Sequence, residues 1–158
     1  GTHTRYIKKL LLLSPFDVHS LIEIATDGKY REYINTAKKK IDKGEGDQLM
    51  PIENINMKMS YQTFASWLTM DHFGKVFNYS DEDNIFMLLN KIDIPVKAVV
   101  GKDDEFFHPI NPDNPQEAID IMKLNIKDFE YKIIDETGHG FEGKEHDLAH
   151  EVLTFLET

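Results

Sequence analysis

Pro95-Val96-Lys97-Ala98-Val99-Val100-Gly101-Lys102-Asp103-Asp104-Glu105 is the stretch whose reading decides the fold class. A β-branched apolar run that stops at a glycine predicts a short strand, and a cluster of carboxylates lies just past its end. Downstream, Pro115 suits the first turn of a helix, and Ala118, Ile119, Ile121, Met122 and Leu124 continue a helical pattern. Phe129-Glu130-Tyr131-Lys132-Ile133-Ile134 then predicts another strand. Residues 145 to 156 predict a closing amphipathic helix with Leu148, Val152, Phe155 and Leu156 on one side.

Upstream, Ile7-Lys8-Lys9-Leu10-Leu11-Leu12-Leu13 predicts a first strand. Its run of leucines lacks the alternation of a strand with one wet face, so it is expected to be buried on both sides. It gives way to a loop at Ser14-Pro15-Phe16-Asp17, because proline has no amide donor and holds the residue before it extended.

From Val18 to Asn90 the pattern turns helical. Leu21, Ile22 and Ala25, then Tyr30, Tyr33, Ile34, Ala37 and Ile41, predict two helices split near Asp27-Gly28 and closed by Lys43-Gly44-Glu45-Gly46. Further helices are expected over 61–70 and 81–90, the second opened by Ser80 with Asp83 in an approximate capping box. Only 43–56 reads as less ordered.

The order strand, helical insertion, strand, helix, strand, helix produces a parallel sheet covered by helices, an α/β class. Residues 1–17 and 91–158 form the expected core, and 18–90 the insertion. With strands paired in sequence order, the leucine strand stands at an edge. Natural edges are short, charged or covered, so further strands are expected on its other side, from upstream of Gly1 or from another chain.

Composition narrows the function classes. The 158 residues, 41% apolar, suffice for one ordinary core. A net charge of −10, from 28 acidic and 18 basic residues, opposes binding to nucleic acid or an anionic membrane surface. With no cysteine, disulfides, thiolate metal sites and cysteine nucleophiles are excluded, which fits a cytoplasmic protein. No apolar run approaches the roughly 20 residues of a membrane helix, and Gly1-Thr2-His3-Thr4-Arg5 has no signal-peptide character. The expected partner is a small molecule.

Chemistry concentrates at two strand ends, where parallel α/β sheets gather their reactive groups. One carries Asp103-Asp104-Glu105, the other Thr137-Gly138-His139-Gly140-Phe141. A carboxylate on one loop and a histidine on the next can meet, the acid fixing the imidazole tautomer and stabilising its protonated form.

Other candidates carry less. Three successive carboxylates point in different directions, which disfavours a metal. His146 and His150 stand four apart on the last helix, a spacing that lets two imidazoles share a metal, but a third ligand is missing, so no metal or cofactor is expected. Ser14 ends a strand but precedes Pro15 without glycines around it, which suits a structural or pocket-lining role. Lys38-Lys39-Lys40 reads as a solvated helix face. Phe64, Trp67, Met70, Phe73, Phe77, Tyr79, Phe86 and Met87 read mostly as packing within the insertion, with some available to line an acyl pocket.

These residues resemble the α/β-hydrolase family. The strand ending Pro-Val-x-x-Val-Val-Gly-x-x-Asp is similar to the family's acid strand, which implies Asp104 as the triad acid with Asp103 as runner-up. The Thr137–Phe141 loop resembles the family's histidine loop, which implies His139 as the base. Leu10–Leu13 resembles the strand just after the nucleophile elbow, and 18–90 the helical cap. No Gly-x-Ser-x-Gly elbow occurs in the sequence. The resemblance therefore implies the C-terminal part of a carboxylesterase-like serine hydrolase acting on an ester or related acyl bond. Its nucleophile and oxyanion donors would lie in a missing N-terminal half, without which the chain is inactive. The rival expectation is a non-catalytic protein of the same fold that binds a ligand or partner.

Overall fold

The computed structural model describes residues 7–52, 58–69, 76–79, 85–106 and 115–157. The elements run β1 (Leu10–Leu13), α1 (Val18–Ala25), α2 (Tyr30–Asp42), α3 (Tyr61–Thr69), a 3-10 turn (Leu89–Lys91), β2 (Val96–Gly101), α4 (Gln116–Asn125), β3 (Phe129–Ile134) and α5 (Glu145–Glu157). They fall into two compact units, Gly1–Phe16 with Ile85–Thr158, and Asp17–Asn84.

The first unit is built on a parallel sheet in the order β1-β2-β3. Leu10 faces Val96 and Leu13 faces Val99, while Val96 faces Phe129 and Gly101 faces Ile134. β2 lies between its neighbours and is buried along its whole length. α4 packs against β3, and α5 against β2 and β3. Val99, Ile134 and Phe141 form a core cluster with Leu11 and Leu148 against it, and Val96, Val100, Ile119 and Met122 are also fully buried. Burying each such side chain stabilises the unit by about 1.5–3 kcal/mol.

The second unit is helical. Ile22, Ala37, Met50, Ile52, Met59, Tyr61, Phe64 and Ala65 form its core, with Tyr33 and Ile34 packed against it. The buried Asp17 caps α1, its carboxylate accepting from the Ser20 N–H at 3.0 Å and the Ser20 hydroxyl at 2.6 Å. Tyr79 is buried in the same unit, and burial together with the charge of Asp17 pushes its phenol well above the ordinary value.

Several expectations need correction. The first strand begins at Leu10 rather than Ile7, and Leu13 is 47% exposed. Among the described residues β1 pairs with β2 alone, the edge position that pairing in sequence order predicts. The strand β2 holds a buried lysine, Lys97, whose ammonium meets Glu151 at 2.8 Å and Glu130 at 3.3 Å.

The helix expected over 81–90 does not form in its described part, Ile85 to Asn90. Phe86 has φ 46, which breaks a right-handed helix, and only the 3-10 turn at Leu89–Lys91 follows. Ser80 and Asp83 lie outside the described residues. Residues 43–52, expected to be less ordered, are held by the Gln62 N–H on the Gly46 carbonyl and the Met50 N–H on the Met59 carbonyl, both 2.9 Å.

The aromatics of the insertion divide. Phe64 is fully buried with Tyr33 beside it, centroids 6.3 Å apart. Phe86 is buried in the first unit and Met87 is exposed. The Trp67 side chain, Met70 and Phe73 lie outside the described part of the structure.

Candidate functional site

The loops after β2 and β3 are tied together by main-chain bonds. The Lys102 N–H donates to the Ile134 carbonyl at 2.9 Å and the Asp103 N–H to the Thr137 carbonyl at 3.0 Å, while within the first loop the Asp104 N–H donates to the Gly101 carbonyl at 3.3 Å. Gly101 permits this approach, because a Cβ there would stand 2.6 Å from the Thr137 carbonyl oxygen and nearer still to that of Gly138. At the far end of the histidine loop, Phe141 is buried in the core and its N–H donates to the Gly138 carbonyl at 3.3 Å. The loop is thus pinned on both sides of His139.

This framework brings Asp104 and His139 together. Nδ1 of His139 stands 3.1 Å from both carboxylate oxygens of Asp104. The Asp104 carboxylate is fully buried, whereas the His139 side chain is 30% exposed. The Phe106 N–H also donates to Asp104 Oδ1, at 2.9 Å, so the buried acid is satisfied by donors from both loops. Asp103, the alternative acid, is exposed.

Three further residues shape the imidazole. The main-chain N–H of His139 donates to Glu105 Oε2 at 3.3 Å. The Phe106 ring meets the imidazole edge-on at 4.6 Å and the Phe16 ring at 5.1 Å, with the two phenyl rings 5.5 Å apart. Edge-to-face contacts of this kind hold a ring plane in place. A neutral imidazole that donates from Nδ1 carries its lone pair on Nε2, and Nε2 makes no hydrogen bond among the described residues. The arrangement can therefore take a proton at Nε2 and stabilise the resulting cation against Asp104.

Sequence reasoning misses Phe16, Phe106 and the part of Glu105. The two phenylalanines lie in the loops beyond the ends of β1 and β2, which is a positional signal, but an aromatic carries no catalytic signature. Glu105 reads in the sequence only as a metal ligand or part of a charged turn.

The remaining candidates stand apart. Ser14 ends β1 with φ 44, buried, its N–H on the Val99 carbonyl at 2.9 Å. Its hydroxyl has no hydrogen-bond partner among the described residues, so no such bond couples it to His139. His146 and His150 are exposed on α5, and among the described residues no group of three or more acidic or histidine side chains is placed to hold a metal. Lys38 and Lys39 are exposed, and Lys40 pairs with Glu45 at 2.6 Å. No helix among the described residues is long and apolar enough to cross a membrane.

No protein-family model and no curated protein sequence matches the chain. Solved structures do. An esterase from Exiguobacterium antarcticum is similar over 99% of this chain and 60% of its own, with 17% identity and a TM-score of 0.51. MenH from S. aureus matches over 96% of this chain and 59% of its own, with 20% identity and a TM-score of 0.48. A probable hydrolytic enzyme from Pseudomonas aeruginosa PAO1 matches over 94% and 55%, with 14% identity and a TM-score of 0.45. The chain thus spans about 60% of the length of the esterase it matches. Three parallel strands with flanking helices, similar over nearly the whole chain to part of that esterase, give the chain a partial α/β-hydrolase fold.

Proposed function

We propose that this chain supplies the acid and the base of a serine hydrolase acting on an ester or related acyl bond, in the manner of a carboxylesterase. The observation that carries the reading is the buried Asp104 carboxylate against Nδ1 of a partly exposed His139. His139 takes the proton of a serine hydroxyl at Nε2, and the serine oxygen attacks the acyl carbon. The leaving alcohol departs with that proton, leaving an acyl-enzyme. His139 then deprotonates water, which attacks the acyl-enzyme and restores the serine. Asp104 holds the tautomer and stabilises the imidazolium throughout. In this reading the serine and the oxyanion donors belong to an N-terminal half beyond these residues, and the Asp17–Asn84 unit is the cap that selects the acyl group.

The test is fluorophosphonate labelling of the complete natural polypeptide, with the modified residue mapped by mass spectrometry and a His139→Ala control. Labelling of a serine upstream of Gly1 that is lost in the control supports the hydrolase. A folded, full-length protein that takes no label overturns it in favour of a ligand- or partner-binding protein of the same fold.

A further inference from the structure

β3 closes the sheet on the side opposite β1, and among the described residues it pairs with β2 alone. The Val96 N–H donates to the Asp128 carbonyl and the Lys102 N–H to the Ile134 carbonyl, so the even-numbered residues of β3 bond inward. By alternation, Phe129, Tyr131 and Ile133 present their N–H and C=O groups to the outer edge. The strand is exposed through its middle, with Tyr131 40% accessible.

The side chains sort by face. Glu130 reaches Lys97 and Lys132 reaches Glu151 of α5, at 3.3 and 4.0 Å. Phe129 and Tyr131, on the opposite face by alternation, stack with centroids 6.4 Å apart.

The order Phe-Glu-Tyr-Lys-Ile reads the same in chemical type from either end: apolar, charged, aromatic, charged, apolar, with the two charges opposite in sign. We propose that two copies of this chain pair through β3, antiparallel, about a two-fold axis at Tyr131. In that register Phe129 faces Ile133 of the second copy, Tyr131 faces Tyr131, and Glu130 faces Lys132.

Each outward-bonding pair exchanges two N–H···O bonds, so the row of outward groups on Phe129, Tyr131 and Ile133 is satisfied in full. Glu130 and Lys132 fall at the intervening non-hydrogen-bonded sites, where facing side chains approach most closely and opposite charges stabilise. A parallel pairing or a shift of one residue forfeits this match. The segment is electrically neutral within a chain of net charge −10, which makes it a favourable place for two such chains to meet. This inference does not depend on the proposed catalytic role.

The first measurement is sedimentation velocity on the chain over a concentration series, with Tyr131→Pro as the variant. Proline removes the outward N–H and both bonds at the axis while leaving the β2–β3 ladder intact, and roughly a hundredfold weaker association is expected. Far-UV circular dichroism confirms that the variant folds.

The second is oxidative cross-linking, which is unambiguous because the chain has no cysteine. Tyr131→Cys brings two cysteines within disulfide reach across the axis, whereas Ile133→Cys faces position 129 and does not cross-link to itself. A dimer that traps through Tyr131→Cys and dissociates in Tyr131→Pro establishes the pairing. A monomer at every concentration overturns it. So does a dimer indifferent to both changes, which would place the contact elsewhere, such as the edge of β1.

Discussion

At Gly101 a single methyl group is enough to separate the two loops of the site. The carbonyls of Thr137 and Gly138 occupy the space a Cβ would need, and they belong to the backbone, so relief requires the histidine loop to move. Gly101→Ala is expected to cost about 2–4 kcal/mol of stability, measured by urea denaturation, and to lengthen the Asp104–His139 contact. Asp104→Asn keeps the shape but permits the wrong tautomer; under the proposed function it is expected to lower kcat of the complete polypeptide by roughly 10⁴-fold, with little change in melting temperature. The meeting of Asp104 with His139 is legible in the sequence because their loops follow neighbouring strands. Phe106 is not, since its work is geometric, one amide on the Asp104 carboxylate and one ring against the imidazole, and neither leaves a mark on residue type.

Between elements, α5 is anchored to the sheet through a charge. Lys97 is buried in β2 and donates to Glu151, which sits on α5 and is itself 21% exposed. The hydrogen bond from Lys97 holds the Glu151 carboxyl below its ordinary value. The stabilisation is therefore present above the ordinary carboxylate value of about 4.3 and is lost as pH falls through the lowered one. On Lys97 burial works against the charge, but the bonds to Glu151 and Glu130 outweigh it and raise the amine. That contribution is present below the ordinary lysine value and lost only as pH rises through the raised one.

Glu151→Gln should cost about 1–3 kcal/mol at neutral pH by leaving a buried ammonium short of a partner, and it should flatten the decline of stability below about pH 4.3, followed by thermal melts. Lys97→Met with Glu151→Leu should recover most of that loss. Elements with strong periodicity are legible to within a residue or two, α2, α4, β3 and α5 among them. The failures have local causes. Phe86 in the left-handed region stops a helix that apolar spacing alone permits, and the register of β1 with β2 starts only at Leu10, opposite Val96.

For the whole molecule, the strand order is legible in the residues themselves, and among the described residues β1 stands at an edge of the sheet, as pairing in sequence order predicts. The two compact units predict unfolding that is not a single transition. The lone tryptophan, Trp67, belongs to α3 of the helical unit, so its fluorescence reports that unit while far-UV circular dichroism averages both. Midpoints in urea are expected to differ between the two probes; coincident curves would show one cooperative block.

Leu10 pairs with Val96, and the whole helical unit lies between them in the chain, which bears on the order of folding. Closing so long a loop delays contact formation, whereas β2, α4 and β3 are consecutive and meet through short connections. In pulse-labelling hydrogen exchange, amides of β2 and β3 should gain protection first and those of β1 last. Prior collapse of the helical unit would shorten the loop that β1 has to close, so slowing that collapse should retard β1 without touching the β2–β3 phase. The leucine strand would then be the slowest piece of this sheet to find its place, and the longest exposed to the wrong partner.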